Sequence, residues 1–100
     1  MTTQMTAWVA QGGRSLDDAD AFTAVAAPSP RPRPRDLIVD VQAVSVNPVD
    51  TKSRASLPPG QQRQLGWDAA GTVIEVGAGV TGFTVGDEVY YSGDLSRDGC

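Results

Sequence analysis

The sequence has 100 residues, with 8 basic and 12 acidic side chains, one cysteine and no histidine. This length predicts a single domain, whose core can be ordinary and needs neither disulfides nor a metal. Without histidine the chain has no Ser-His-Asp or Cys-His nucleophile, no imidazole base and none of the common histidine-containing zinc sites.

The first half of the chain predicts a strand, a turn and a connector. Alternating apolar and polar residues indicate a strand over 5–11, which Gly12 and Gly13 close. Ser15 and the acidic residues after it suit one short helical turn. The alternating arginines and prolines of 31–35 indicate an extended connector that ends one strand and starts the next. Because a nucleic-acid footprint needs a broad basic face, this short run does not predict such a partner.

The clearest strand pattern covers 37–46. Apolar side chains alternate on one face and then change phase, which predicts a bend or bulge near Ala43. The strand ends at Asn47, because the proline after it cannot donate to a ladder. Residues 50–56 suit a short turn of helix or an irregular loop, and 57–64 a polar, mobile loop.

Two more strands are predicted over 72–76 and 88–91, with a glycine-rich turn between them. Residues 77–82 match G-x-G-x-x-G and follow a strand, as a dinucleotide-binding turn does. That mechanism requires a helix after the glycines, and no helix of useful length fits before Gly86 and Asp87. We therefore interpret the run as a tight turn. Short strands and glycine turns with little helical periodicity indicate an all-β barrel or sandwich.

Three blocks of the chain, 36–52, 65–77 and 85–89, resemble the GroES-like N-terminal domain of the medium-chain dehydrogenase/reductase superfamily. They are most similar to its quinone oxidoreductase branch and to proteins labelled zinc-type alcohol dehydrogenase-like. The resemblance runs from about residue 8 to residue 98. It implies an all-β, partly open GroES-like β-barrel, truncated here, with at most short helical turns. It also implies that 1–100 form a fragment of the catalytic domain, with the Rossmann cofactor domain outside them.

The same resemblance shows where zinc-dependent relatives carry metal ligands. Asn47 stands in place of a cysteine ligand and Trp67 in place of a histidine ligand. The thiolate is missing and an indole cannot coordinate a metal, so no catalytic zinc is expected. Such relatives also hold a structural zinc with four cysteines, and this chain has only Cys100, so no structural zinc is expected either. The resemblance then implies NADPH-dependent hydride transfer to quinones or activated enones and carbonyls. In such acceptors, hydrogen-bond donors can stabilise the charge that develops on oxygen.

The resemblance gives four residues roles in the site. Asn47 is the catalytic residue and also faces the cofactor, and Lys52 binds the cofactor where many relatives carry a tyrosine. Trp67 and Asp68 belong to the substrate pocket. The residue types leave plainer roles open. Asn47 could only end a strand, and Lys52 could be a solvated surface charge. Trp67 could pack in the core, and Asp68 could bond the amides of a turn.

The expected partner is a small-molecule quinone or enone, and the open sheet edge would allow a homo-oligomer to form. No apolar run approaches the length of a membrane span, and the N-terminus lacks the features of a signal peptide. Cys100 cannot form an intrachain disulfide, so a cytoplasmic location is expected. The chain is expected to be inactive alone. The alternatives are a stand-alone GroES-like interaction module and a non-functional truncated gene product.

Overall fold

The computed structural model describes residues 4–100, which form six strands and one helix. In chain order the elements are β1 (Gln4–Gln11), β2 (Phe22–Pro28), β3 (Leu37–Ser45), α1 (Pro48–Ala55), β4 (Gln62–Gln64), β5 (Asp68–Val76) and β6 (Glu88–Ser92). The strands make two open antiparallel sheets, ordered β2-β1-β4 and β3-β5-β6. The expected all-β, partly open fold with little helix is confirmed, and the described residues do not close a barrel.

Strand β1 is the centre of the first sheet, and its pleat explains the pattern of the sequence. Ala7 and Val9 point into the core, whereas Trp8 between them is 63% exposed. The predicted strand over 5–11 is confirmed. The predicted loop over 57–64 is wrong at its end, because 62–64 pair with β1. These polar residues become a strand since the backbone groups on the free side of β1 need partners.

The second sheet contains the predicted irregularity. Strand β3 pairs with β5 through register shifts at Ile38/Val39 and at Val41/Ala43, so the bulge expected near Ala43 is confirmed. Strand β5 starts at Asp68, earlier than the predicted 72–76, because β3 and β6 pair with it on both sides. Ser45 of β3 and Ser92 of β6 both lie opposite Asp68. Polar residues from three strands therefore share one row.

The arginine and proline connector lies against the glycine turn that follows β5. The amide of Gly77 donates to the carbonyl of Asp36 at 2.8 Å, and the amide of Gly79 donates to that of Pro34 at 2.7 Å. A Cβ at position 77 would overlap the carbonyl oxygens of Arg33 and Pro34, so this approach requires glycine. No helix follows the turn within the described residues, which confirms that 77–82 form a tight turn.

The core is small and consists mainly of short side chains, so the backbones approach closely. Val73 at the centre of β5 is fully buried. The other buried apolar residues are Ala7, Val9, Ala10, Ala21, Trp67 and Ala69. No helix in residues 4–100 is long and apolar enough to cross a membrane.

Candidate functional site

Asn47 lies between the end of β3 and the start of α1. Its backbone is extended, with φ of −127°, and the helix begins at the next residue, Pro48. Proline is accepted there because the first helical N–H has no partner within the helix and the ring already holds a helical φ. The helix predicted as an option for 50–56 is confirmed, and it starts two residues earlier. The half-buried side chain of Asn47 is therefore placed by two rigid elements.

Asp50 joins this junction to the segment before β5. Its side chain is buried, and its two oxygens accept the backbone N–H groups of Asn47 and Gly66, each at 2.8 Å. Gly66 has φ of +91°, a left-handed conformation that favours glycine, and it can therefore turn its amide toward the carboxylate. A buried carboxylate needs such donors, because burial removes its water. Asp50 thus fixes the backbone on both sides of the site.

The side chain of Asn47 is bonded at both ends. Its Nδ2 donates to Oδ2 of Asp68 at 2.6 Å, and its Oδ1 accepts from Oγ of Ser45 at 3.0 Å. The structure therefore brings together Asn47 and Asp68, two of the four residues assigned from the resemblance. Sequence reasoning did not find Ser45. The register of β3 on β5 identifies Ser45, because it places this residue opposite Asp68.

Trp67 is buried, with 3% of its surface exposed. Its Nε1 donates to the carbonyl of Arg97 at 3.1 Å, and the guanidinium carbon of Arg63 lies 5.1 Å from the centre of its ring. The segment after β6 thus packs over Trp67. A place for this residue in the substrate pocket stays a prediction.

Lys52 is exposed on α1, and the bonds that join Asn47, Asp50 and Asp68 do not include it. Its role toward the cofactor also stays a prediction. The structure places Lys52 on the helix that Asn47 precedes, but it does not bring the two side chains into one cluster.

A shallow groove of about 660 Å³ lies across the second sheet. It is lined by three residues from each of three adjacent strands, namely Ala43, Val44, Ser45, Asp68, Ala69, Ala70, Tyr90, Tyr91 and Ser92. Most of these side chains are apolar or aromatic. Two of the polar ones, Ser45 and Asp68, are bonded to the side chain of Asn47. This composition suits a small apolar ligand that carries a few polar atoms.

Cys100 lies beside Gly66, and its Sγ donates to the carbonyl oxygen of Gly66 at 3.2 Å. Burial raises the pKa of this thiol above its usual value, and the nearby charge of Asp50 adds to the effect. Burial also raises the pKa of Tyr91, with a further contribution from Cys100. Both groups are thus neutral near pH 7, and Cys100 lacks the lowered pKa that marks a reactive thiol.

The donor set of the site does not fit zinc. Within residues 4–100 no three His, Cys, Asp or Glu side chains converge as metal ligands would. Both oxygens of Asp50 already accept backbone N–H groups, and Asp68 is bonded to Asn47. Zinc sites in proteins use thiolate, imidazole and carboxylate ligands in tetrahedral sets, and an asparagine and a buried indole do not replace them.

The model of the alcohol dehydrogenase GroES-like domain matches residues 33–100. The chain belongs to this family. It is an N-terminal domain of the medium-chain, alcohol-dehydrogenase-like oxidoreductase type, as the resemblance in the sequence implied.

Two curated relatives illustrate the range of the family. A zinc-type alcohol dehydrogenase-like protein of Staphylococcus aureus is 42% identical over 84 residues, which are 84% of this chain and 25% of the relative. The enoyl reductase component of lovastatin nonaketide synthase from Aspergillus terreus is 45% identical over 81 residues, or 80% of this chain and 22% of the relative. The chain thus spans about a quarter of the length of these relatives.

Two solved structures have the same fold. A protein of Rhizobium etli CFN 42, described as a zinc-dependent alcohol dehydrogenase, superposes with a TM-score of 0.90 at 41% identity. The match covers 100% of this chain and 29% of that protein. The quinone oxidoreductase of Coxiella burnetii gives a TM-score of 0.77 at 28% identity, over 98% of this chain and 32% of the enzyme.

Proposed function

We propose that this chain forms the acceptor side of a zinc-independent, NADPH-dependent oxidoreductase that reduces quinones or activated enones and carbonyls. The observation that carries the proposal is the amide of Asn47, which is bonded to Asp68 and Ser45, two residues that line an apolar groove. On this proposal the chain acts together with a nucleotide-binding domain and is inactive alone. Its partner is the small-molecule acceptor.

Asn47 acts as a hydrogen-bond donor to the acceptor oxygen. When bound, NADPH would supply a hydride to a ring or β-carbon of the acceptor. Negative charge then develops on the conjugated oxygen, which the second N–H of Nδ2 stabilises before solvent protonates it. A donor fixed in advance is effective because no dipole has to reorient during the reaction. Conjugation already spreads the charge, so these acceptors need no metal ion.

The other assigned residues have supporting roles in this proposal. Asp68 contributes to the polar row at the groove and orients Asn47. Lys52, exposed on α1, supplies a positive charge toward the cofactor. Trp67, which precedes Asp68 in the chain, borders the acceptor pocket in this proposal.

Three observations support this acceptor class. The site has no donor set suited to zinc, which disfavours simple alcohol oxidation by a Lewis acid. One solved neighbour is a quinone oxidoreductase, and one curated relative is an enoyl reductase component. Some relatives have names that contain zinc, but Asn47 and Trp67 of this chain, where the resemblance places a cysteine and a histidine ligand, cannot act as zinc ligands.

The test joins this chain to the remaining carboxyl-terminal part of the Rhizobium etli protein, whose matched segment is 41% identical. We expect the fusion to oxidise NADPH with a quinone and the chain alone to be inactive. Removing a fixed donor lowers kcat by about 100-fold or more, so Asn47→Ala should have this effect. Asp40→Ala, on an exposed position of β3, is the matched control and should leave kcat unchanged.

The same fusion tests zinc independence. Activity should persist after dialysis against a chelator, with no zinc found by elemental analysis. Loss of activity on chelation that added zinc restores would contradict the metal-free proposal. Unchanged kcat in Asn47→Ala would remove this residue from the site.

A further inference from the structure

Asn47 is the only asparagine of the chain, and its side chain raises a question of orientation. The two ends of an asparagine amide have nearly the same size and shape, so rotation by half a turn exchanges a donor with an acceptor at little steric cost. Only neighbours that discriminate between nitrogen and oxygen select one orientation. For a residue that must donate to a ligand, this selection decides whether it meets the ligand with N–H or with C=O.

The pairing of β3 with β5 supplies the neighbours. Ser45 and Asp68 are directly opposite in the antiparallel ladder, so their side chains leave the same face of the sheet. Asn47 lies two residues beyond Ser45, and its amide reaches both side chains. Asp50 meanwhile holds the backbone N–H of Asn47. Asp50 thus holds the backbone of Asn47, whereas Ser45 and Asp68 hold its side-chain amide.

Of the two neighbours, Asp68 is the one that discriminates. An ionised carboxylate only accepts hydrogen bonds, so nitrogen must face it, and the reverse orientation would place two acceptor oxygens together. The 2.6 Å distance is that of a short, charge-assisted bond. The hydroxyl of Ser45 can donate or accept and would suit either orientation. The Ser45 hydroxyl therefore stabilises the amide orientation that Asp68 selects.

We propose that Asp68 is a positioning residue that holds the Asn47 amide with its second N–H free for the ligand, with Ser45 holding the oxygen. The proposal rests on the proposed function of Asn47 as donor. It assigns Asp68 no contact with the reacting atoms. Its effect passes through the orientation of one amide, so it should appear in kcat more than in KM.

The test observes the amide directly in the full 100-residue chain. Labelling with asparagine that carries ¹⁵N in its side chain gives a single pair of amide proton signals, because the chain has one asparagine. We expect one proton of the pair far downfield, from the bond to Asp68, and protected from exchange with solvent. Asp68→Ala should return it to the position of a free amide, whereas Ser45→Ala should shift it less and Asp40→Ala not at all. A free-amide signal in the unmodified chain overturns the proposal.

Kinetics of the fusion protein separate this proposal from the proposed function. Misplacing a catalytic group costs up to about 100-fold, so Asp68→Ala should lower kcat by about 10- to 100-fold with little change in KM. Asp68→Glu, which keeps the carboxylate, should recover part of the loss. If Asn47→Ala lowers kcat and Asp68→Ala changes only KM or nothing, positioning by Asp68 is wrong and the donor role stands. If Asn47→Ala leaves kcat unchanged, the proposed function fails, and this proposal fails with it even where the amide signal is as expected.

Discussion

Two aspartates near opposite ends of β3 both accept hydrogen bonds that join the chain to distant segments, but they differ in exposure. Asp36, just before the strand, accepts the backbone N–H of Arg33 at 3.0 Å and a guanidinium N–H of Arg97 at 3.0 Å. Asp50, beyond the other end, accepts two backbone N–H groups and is 7% exposed. The side chain of Asp36 is 22% exposed. Each carboxylate ties the end of one strand to a segment distant in sequence.

This difference in exposure determines which of the two carboxylates water can replace as a hydrogen-bond acceptor. At the Asp36 end, water can replace the carboxylate as acceptor, and backbone bonds from the glycine turn also hold the connector. At the Asp50 end, burial excludes water, so the two N–H groups would have no other acceptor. The candidate site lies at the Asp50 end, where water cannot replace the carboxylate as acceptor.

Replacing Asp50 is the strongest test of this difference. Asp50→Ala leaves the buried N–H of Gly66 and the part-buried N–H of Asn47 without their acceptor, at about 1 to 3 kcal/mol each, so the free energy of unfolding should fall by about 2 to 6 kcal/mol. Urea unfolding followed by tryptophan fluorescence measures it. Asp50→Asn, which retains one acceptor oxygen, should lose less. A loss no larger than that of Asp36→Ala would contradict the comparison.

Gly77→Ala tests the other end through packing. The new methyl group would overlap the carbonyl oxygens of Arg33 and Pro34, and overpacking of this kind costs about 1 to 3 kcal/mol. Gly79→Ala is the matched control in the same turn, since its nearest contact would be 3.1 Å to the carbonyl oxygen of Pro34, a tight contact that a shift of a few tenths of an ångström relieves. Thermal unfolding should show a clear loss for the first variant and a smaller one for the second. Equal losses would show that the connector does not lie as described.

Asp36→Asn should have the smallest effect, and that effect should depend on pH. The backbone N–H of Arg33 and then the guanidinium of Arg97 lower the pKa of Asp36 below its ordinary value of 3.8. The stabilisation by its charge is therefore complete above pH 3.8 and is lost as the pH falls through the lower pKa of the folded state. Unfolding of both proteins should differ slightly at pH 7 and converge in acid. A difference that grows in acid would reverse the assignment.

Much of the fold could be predicted from local patterns, and the errors lie where pairing overrides them. The strand over 5–11 and the bend near Ala43 follow from alternation and its change of phase. Residues 62–64 are polar and read as a loop, but the free side of β1 supplies a ladder for them. The start of β5 contains Asp68 and small residues of low strand propensity, yet it pairs on both sides.

The site was only partly predictable. The resemblance selected Asn47 and Asp68 as separate candidates, and the structure shows them joined by a hydrogen bond across 21 positions of the chain. It gave no reason to single out Ser45, because a serine near the end of a strand is common. The bond of Asp50 to the amide of Gly66 also needed the tertiary structure, since this partner lies 16 residues away.

Local periodicity was enough to predict the all-β class, and the sequence motifs were enough to predict the family. That Asn47 and Trp67 replace zinc ligands is what the resemblance implies. Tertiary structure alone decided which groups meet. The register of β3 on β5 sets Ser45 against Asp68, and the burial of Asp50 makes its bonds irreplaceable by water. Register and burial arise from contacts between distant segments, which no local pattern in the chain records.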